Sequence, residues 1–173
     1  MSHIFGEIHQ NGYVVRDLEA TMRHWTENLG IGPCFYLEPT RLDDFIFRGQ
    51  PSAVEISVAI VYSGRLQFEL IQQHNDAPSM YREFIDAGHE GLQHLGVVSE
   101  NMERDQRRLE KAGYRVGQSG SSFSYYETEM GPGSVMELID ADSPAVRFFK
   151  VIEEAGRTWD GSDPIRPFAP GSE

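Results

Sequence analysis

Apolar positions recur in short blocks whose period changes along the chain. Residues 8–15 alternate around Tyr13, Val14 and Val15, which predicts a strand. Asp17 then stands where a helix N-cap belongs, and Leu18, Met22, Trp25 and Leu29 follow at helical spacing until Gly30 and Gly32. Residues 34–37 form a short strand candidate. Residues 38–52, with Pro39, Gly49 and Pro51, read as an excursion or loop. Alternation returns over residues 53–61, with Val54, Ile56, Val58 and Ile60 on one face and Glu55, Ser57 and Ala59 on the other. Ser63-Gly64 predicts a hairpin turn into a strand over residues 66–72.

The second half repeats this order. A short helix capped by Ser79 carries Met80, Phe84 and Ala87 inward and stops at Gly88. Residues 91–98, Gly-Leu-Gln-His-Leu-Gly-Val-Val, make the next strand, followed by a helix over residues 102–112 that Gly113 ends. Strands near residues 114–116, 123–128 and 134–139 complete the set. The chain thus reads β-α-β-β-β twice, and aligning Gly12 with Gly96 sets Gln10 on His94, 84 residues on. After residue 142, Ser143-Pro144 starts a helix with Phe148, Phe149, Val151 and Ile152 as its apolar face and Gly156 as its stop. Trp159 and the prolines at 164, 167 and 170 predict an extended arm lying on the domain or on a partner subunit. The expected organisation is α+β: a first module over residues 1–78, a second over 79–142 and a tail over 143–173, forming one structural domain.

The repeat concentrates chemistry at matched places. Glu69-Leu70-Ile71 and Glu137-Leu138-Ile139 close the two copies, each with a glutamate in an apolar strand. Burying such a carboxylate is costly unless it is paired or bound to a metal. Gln10 precedes Glu69 by 59 residues and His94 precedes Glu137 by 43, the difference being the excursion. One imidazole, two carboxylates and one amide oxygen suit a divalent ion such as Zn, Ni, Co, Mn or Mg. His9 adjoins Gln10, but strand alternation sends it to the opposite face. His3, His24, His74 and His89 read as solvated side chains.

Composition narrows the classes. At 173 residues the chain can bury a sizeable core. A net charge of −12 argues against a broad nucleic-acid or anionic-membrane surface. Cys34 is the only cysteine, so no internal disulfide and no thiolate cluster can form. No apolar run reaches the ~20 residues of a membrane span, and the first residues lack the order of a signal peptide, so a cytoplasmic protein is expected.

Gln10-x-Gly12, Asp17-Leu18, Glu69-Leu70, Gln93-His94 and Val135-Met136-Glu137-Leu138, in that order and repetition, resemble the vicinal oxygen chelate superfamily over roughly residues 8–140. That group includes glyoxalase I, methylmalonyl-CoA epimerase, extradiol dioxygenases and bleomycin-resistance proteins. The resemblance implies two βαβββ modules curling into a cup, one divalent ion held by Gln10, Glu69, His94 and Glu137, and a homodimer. The segment around Glu55 resembles the epimerase strand that supplies one of two opposed bases, Glu137 being the other. The sequence departs from epimerases in carrying Gln10 where they usually have histidine, and in its long tail. The expected function is a metal-dependent epimerase or isomerase moving a proton alpha to a carbonyl, with an acyl-CoA such as methylmalonyl-CoA as candidate substrate. A glyoxalase I-type lyase acting on a thiol adduct of a 2-oxoaldehyde is the alternative. A third reading is a metal-free small-molecule binding protein of the bleomycin-resistance type.

Overall fold

In the computed structural model, residues 6–128, 131 and 133–168 are described; His3 and Pro170 lie outside them. The first half runs β1 (Gln10–Val14), α1 (Leu18–Arg23), β2 (Cys34–Arg41), β3 (Ile46–Phe47), β4 (Gln50–Pro51), β5 (Glu55–Ser63) and β6 (Leu66–Gln73). The second runs α2 (Met80–Asp86), β7 (Gly91–Ser99), α3 (Met102–Lys111), β8 (Arg115–Gly120), β9 (Phe123–Glu127) and β10 (Val135–Asp140). α4 (Pro144–Thr158) and β11 (Ile165–Pro167) complete the chain. The helix starts are chemical: Asp17, Ser79 and Ser143 each accept a hydrogen bond from the third residue of their helix.

All the strands join one mixed sheet in the order β11-β2-β5-β6-β1-β7-β10-β9-β8-β3-β4. Its centre is a mirrored pair of repeats. β1 lies parallel to β6, β7 lies parallel to β10, and β1 and β7 meet antiparallel. The four strands predicted to carry the chemistry are therefore consecutive.

One face of the sheet takes the module helices. Leu18 and Met22 of α1 bury against Val15, Cys34, Ala59, Val61 and Leu70, and Leu109 of α3 against Val97, Tyr126 and Leu138. Each such side chain contributes about 1.5–3 kcal/mol. The other face holds a second core in which Val14, Ile56 and Ile71 meet Met80, Tyr81 and Phe84 of the α2 segment, with Phe45 and Tyr125.

Several expectations change here. The excursion contains the hairpin β3–β4, which pairs with β8 of the other module and carries Phe45 into the core. Its tight turn places Arg48 and Gly49 at φ 46° and 78°, as a two-residue hairpin requires. Ala87 is exposed, and Tyr81 is buried in α2 instead. Gly156 does not end α4: it lies inside the helix facing Tyr62, where an added Cβ would make ordinary contact at 3.5 Å. Val151 is exposed, whereas Phe149 and Ile152 bury against Phe35, Ile60 and Tyr62. The apolar face of α4 is thus covered by the chain's own sheet, and a homodimer would need another surface. The arm does lie on the domain, β11 pairing parallel with β2. No helix of the described residues is long and apolar enough to cross a membrane.

Candidate metal centre

Strand register brings the matched residues together. Glu69 on β6 is level with Gly12 on β1, which is level with His94 on β7. Two residues along, Gln67, Gln10, Gly96 and Glu137 form a second row across β6, β1, β7 and β10. Residues two apart on a strand share a face, so Gln10, Glu69, His94 and Glu137 all project from one side. The glycines alternate with the large side chains for a steric reason. A Cβ on Gly12 would overlap Cε1, Nε2 and Nδ1 of His94, and one on Gly96 would overlap Gln10 Oε1. Each copy's glycine makes room for the other copy's polar side chain.

One donor atom each from Glu69, His94 and Glu137 lie within 4.8 Å of one another. His94 Nε2 is 3.2 Å from Glu69 Oε2 and 3.3 Å from Glu137 Oε2. These separations are close to the edge of a coordination shell, about 3 Å when bonds of about 2.1 Å meet at right angles. Two acceptors are orphaned: Gln10 Oε1 and Glu137 Oε2 are buried without a hydrogen bond. An uncovered amide oxygen, an uncovered carboxylate oxygen and a converging imidazole fit a divalent cation.

The residue that orients the imidazole was not singled out from the sequence. The β1–β7 register jumps from Gly12↔His94 to Tyr13↔Leu92, so Gln93 is the extra residue of a bulge. Gln93 is buried, and its Oε1 lies 2.8 Å from His94 Nδ1. An amide oxygen only accepts, so Nδ1 carries the proton and Nε2 faces the carboxylates. Tyr125 OH stands 3.4 Å from the same Nε2 and accepts from Tyr81 OH at 3.0 Å. Burial, with the charges of Glu137 and Glu69, pushes both phenols well above their usual range, so they stay protonated.

Charge in the cluster is shared. Burial draws the His94 imidazole down, but the Glu137 and Glu69 carboxylates beside it outweigh burial and hold the group up at about 9. Burial and then the Glu69 charge push the Glu137 carboxyl up. The ion-free cluster therefore keeps a proton at neutral pH that a cation must expel. The apparent affinity for Co or Zn is expected to rise about tenfold per pH unit between about pH 6 and 8, levelling off above about 9. Calorimetric titrations in buffers of different ionisation enthalpy measure both the slope and the proton released.

Glu55 does not join the cluster. β5 pairs with β6 without a break, Ile60 level with Glu69 and Ile56 level with Gln73. Even-numbered β5 residues therefore share the face of Glu69, and Glu55 lies with Ser57, Ala59 and Val61 on the helix-covered face. The expectation of Glu55 as a base opposed to Glu137 fails because the sheet stands between them. Glu55→Gln is accordingly expected to leave turnover and metal content unchanged, read by the same assays as the wild type. His9 also falls on the far face, beside Val98, Arg104 and Asp105. His74 is less free than expected, its Nε2 lying 2.7 Å from Ser57 Oγ.

Comparison with known proteins agrees with this fold. The family model described as the Glyoxalase/Bleomycin resistance protein/Dioxygenase superfamily matches residues 9–125. No curated protein matches the chain. Among solved structures, methylmalonyl-CoA epimerase from Mycobacterium tuberculosis is similar at TM-score 0.56 and 17% identity, over 81% of this chain and 91% of that one. A hypothetical protein, BH1468 from Bacillus halodurans C-125, is similar at TM-score 0.57 and 14% identity, over 79% and 95%. A Streptomyces coelicolor methylmalonyl-CoA epimerase variant in complex with 2-nitronate-propionyl-CoA is similar at TM-score 0.53 and 16% identity, over 80% and 99%. At such identities the structures speak for the fold, whereas the family model spans well over half of the sequence. The chain belongs to the glyoxalase/bleomycin resistance protein/dioxygenase superfamily.

Proposed function

We propose that this protein is a divalent-metal-dependent epimerase or isomerase that moves a proton alpha to a carbonyl, with a 2-methyl acyl thioester such as methylmalonyl-CoA as candidate substrate. The observation that carries the reading is the convergence of Glu69, His94 and Glu137 within 4.8 Å beside the uncovered oxygens of Gln10 and Glu137. Gln10, Glu69, His94 and Glu137 would hold the ion. When bound, it would supply Lewis-acid polarisation of the substrate carbonyl and so acidify the neighbouring C–H.

The chain's own groups would do the rest. Glu137 takes the alpha proton on a carboxylate oxygen that the ion does not hold, its affinity for protons being raised by burial and the Glu69 charge. Glu69 flanks the same imidazole nitrogen and is the more open of the two, its side chain 16% exposed against 6%. A proton that Glu69 takes from solvent can be handed back to the carbon, the task expected of Glu55. Gln93 keeps the imidazole in the tautomer that leaves Nε2 toward the carboxylates. Tyr125, held by Tyr81, presents a hydroxyl at the cluster that can hydrogen-bond a substrate oxygen.

The placement of Glu55 favours a second reading. Without a base on an opposed strand, the pair Glu69 and Glu137 would equally serve a glyoxalase-type lyase, which shifts a proton between adjacent carbons of a 2-oxoaldehyde–thiol adduct. Solvent deuterium uptake into 2-methyl acyl thioesters, set against turnover of methylglyoxal with glutathione, separates the two. Protein purified without chelator is expected to contain about one divalent ion per chain. A chain that neither holds nor takes up an ion would overturn both readings and support a metal-free binding protein.

A further inference from the structure

Gln10 and Gln67 are buried neighbours, 1% and 0% exposed, level with each other on β1 and β6. Gln10 Nε2 donates to Gln67 Oε1 at 2.8 Å, and Gln67 Nε2 donates to Tyr62 OH at 2.7 Å. An amide has one end that only donates and one that only accepts, so such a chain has a direction. In the observed direction the Gln10 oxygen is left without a partner. Reversed, Gln10 would accept from Gln67 and keep its NH2 for the site. A cation can use the oxygen and cannot use the NH2.

We propose that Gln67 and Tyr62 are positioning residues that turn the Gln10 amide oxygen toward the Glu69–His94–Glu137 cluster, an inference that rests on the metal-centre reading above. Three observations support this direction. Gln10 is level with Gly96, and Gly96 with Glu137, so the amide stands in the row next to the Glu137 carboxylate. The missing Cβ of Gly96 is the space that Gln10 Oε1 occupies. Tyr62 lies under α4 against Phe149 and Ile152, where the negative charge of Glu153 acts on it. The phenol oxygen accepts from Gln67 Nε2 at 2.7 Å, which leaves Gln67 Oε1 to accept from Gln10.

The test is Co binding by titration, with the visible Co absorption as a second readout, in Gln67→Leu, Gln67→Glu and Tyr62→Phe. Gln67→Leu is expected to weaken Co binding about 10- to 100-fold, as loss of a supporting hydrogen bond does, and to shift the Co bands. Gln67→Glu keeps an acceptor for Gln10 and is expected to restore both. Tyr62→Phe should fall between them. In a Gln10→Ala background, Gln67→Leu should change affinity by no more than about twofold. Wild-type affinity in Gln67→Leu, or an equal loss in the Gln10→Ala background, overturns the inference. If the wild type takes up no ion at all, the metal reading fails by itself, and side-chain amide NMR of the ion-free protein decides the positioning. A slowly exchanging Gln10 NH2 proton that disappears in Gln67→Leu supports it, and its absence from the wild type overturns it.

Discussion

Glu137→Gln is expected to slow solvent deuterium exchange at the carbon alpha to the carbonyl by about a thousandfold or more. A positioned general base contributes about 10²–10⁴, and this one is also a ligand candidate, so both its charge and its basicity are lost. The substitution keeps the size of the side chain, so the fold should survive. That separates chemistry from collapse. Ion uptake should weaken by about 10- to 100-fold and be recovered at high Co concentration, whereas exchange should stay lost at saturation. The imidazole reports independently: with one of its two carboxylates gone, His94 should titrate below the value near 9 that it holds in the ion-free wild type. Exchange within tenfold of wild type at saturating Co would assign the base elsewhere, and Glu69→Gln would then be the variant to lose it.

The repeat was legible because periodicity and capping are local. Asp17, Ser79 and Ser143 each mark their own helix start, and Glu69 and Glu137 stand out against apolar neighbours in any register. Gln10 could be preferred to His9 because aligning Gly12 with Gly96 sets Gln10, not His9, on His94, and alternation then puts His9 on the other face. What was hidden depends on pairing. Glu55 lies on the wrong face only because β5 runs level with β6 without a bulge, Ile60 opposite Glu69. Gln93 reaches His94 only because β7 does bulge against β1. Alternation predicts both strands equally well and cannot tell which of them skips a residue. Gln67 stayed silent for another reason: a buried glutamine in Leu-Gln-Phe-Glu-Leu carries no sign of what it bonds. Gly156 misled because a glycine read as a helix stop is, in three dimensions, a contact surface for Tyr62.

Gly12→Ala is expected to be severely damaging, its added Cβ having the closest clash among the described glycines. The added Cβ would fall on Cε1, Nε2 and Nδ1 of His94 at once, so either the ring or strand β1 must give. The ring cannot swing away cheaply, because it is fully buried and tied at Nδ1 to Gln93 and at Nε2 to Glu69. β1 cannot retreat, because it is bonded on one side to β6 and on the other to β7. Overpacking of this kind costs about 1–3 kcal/mol and occasionally more. With two tethers broken as well, about 3 kcal/mol is expected, a fall in Tm of roughly 6–12 °C for a chain of this length. If the strands hold and the ring moves instead, stability recovers but Nε2 leaves the carboxylates, and Co affinity should fall at least about a hundredfold. Gly96→Ala meets the Gln10 amide, a longer side chain with a rotatable end, so the milder loss is expected there. A Gly12→Ala protein that melts and binds Co like the wild type would mean that His94 does not stand over Gly12, and the centre as described would be wrong.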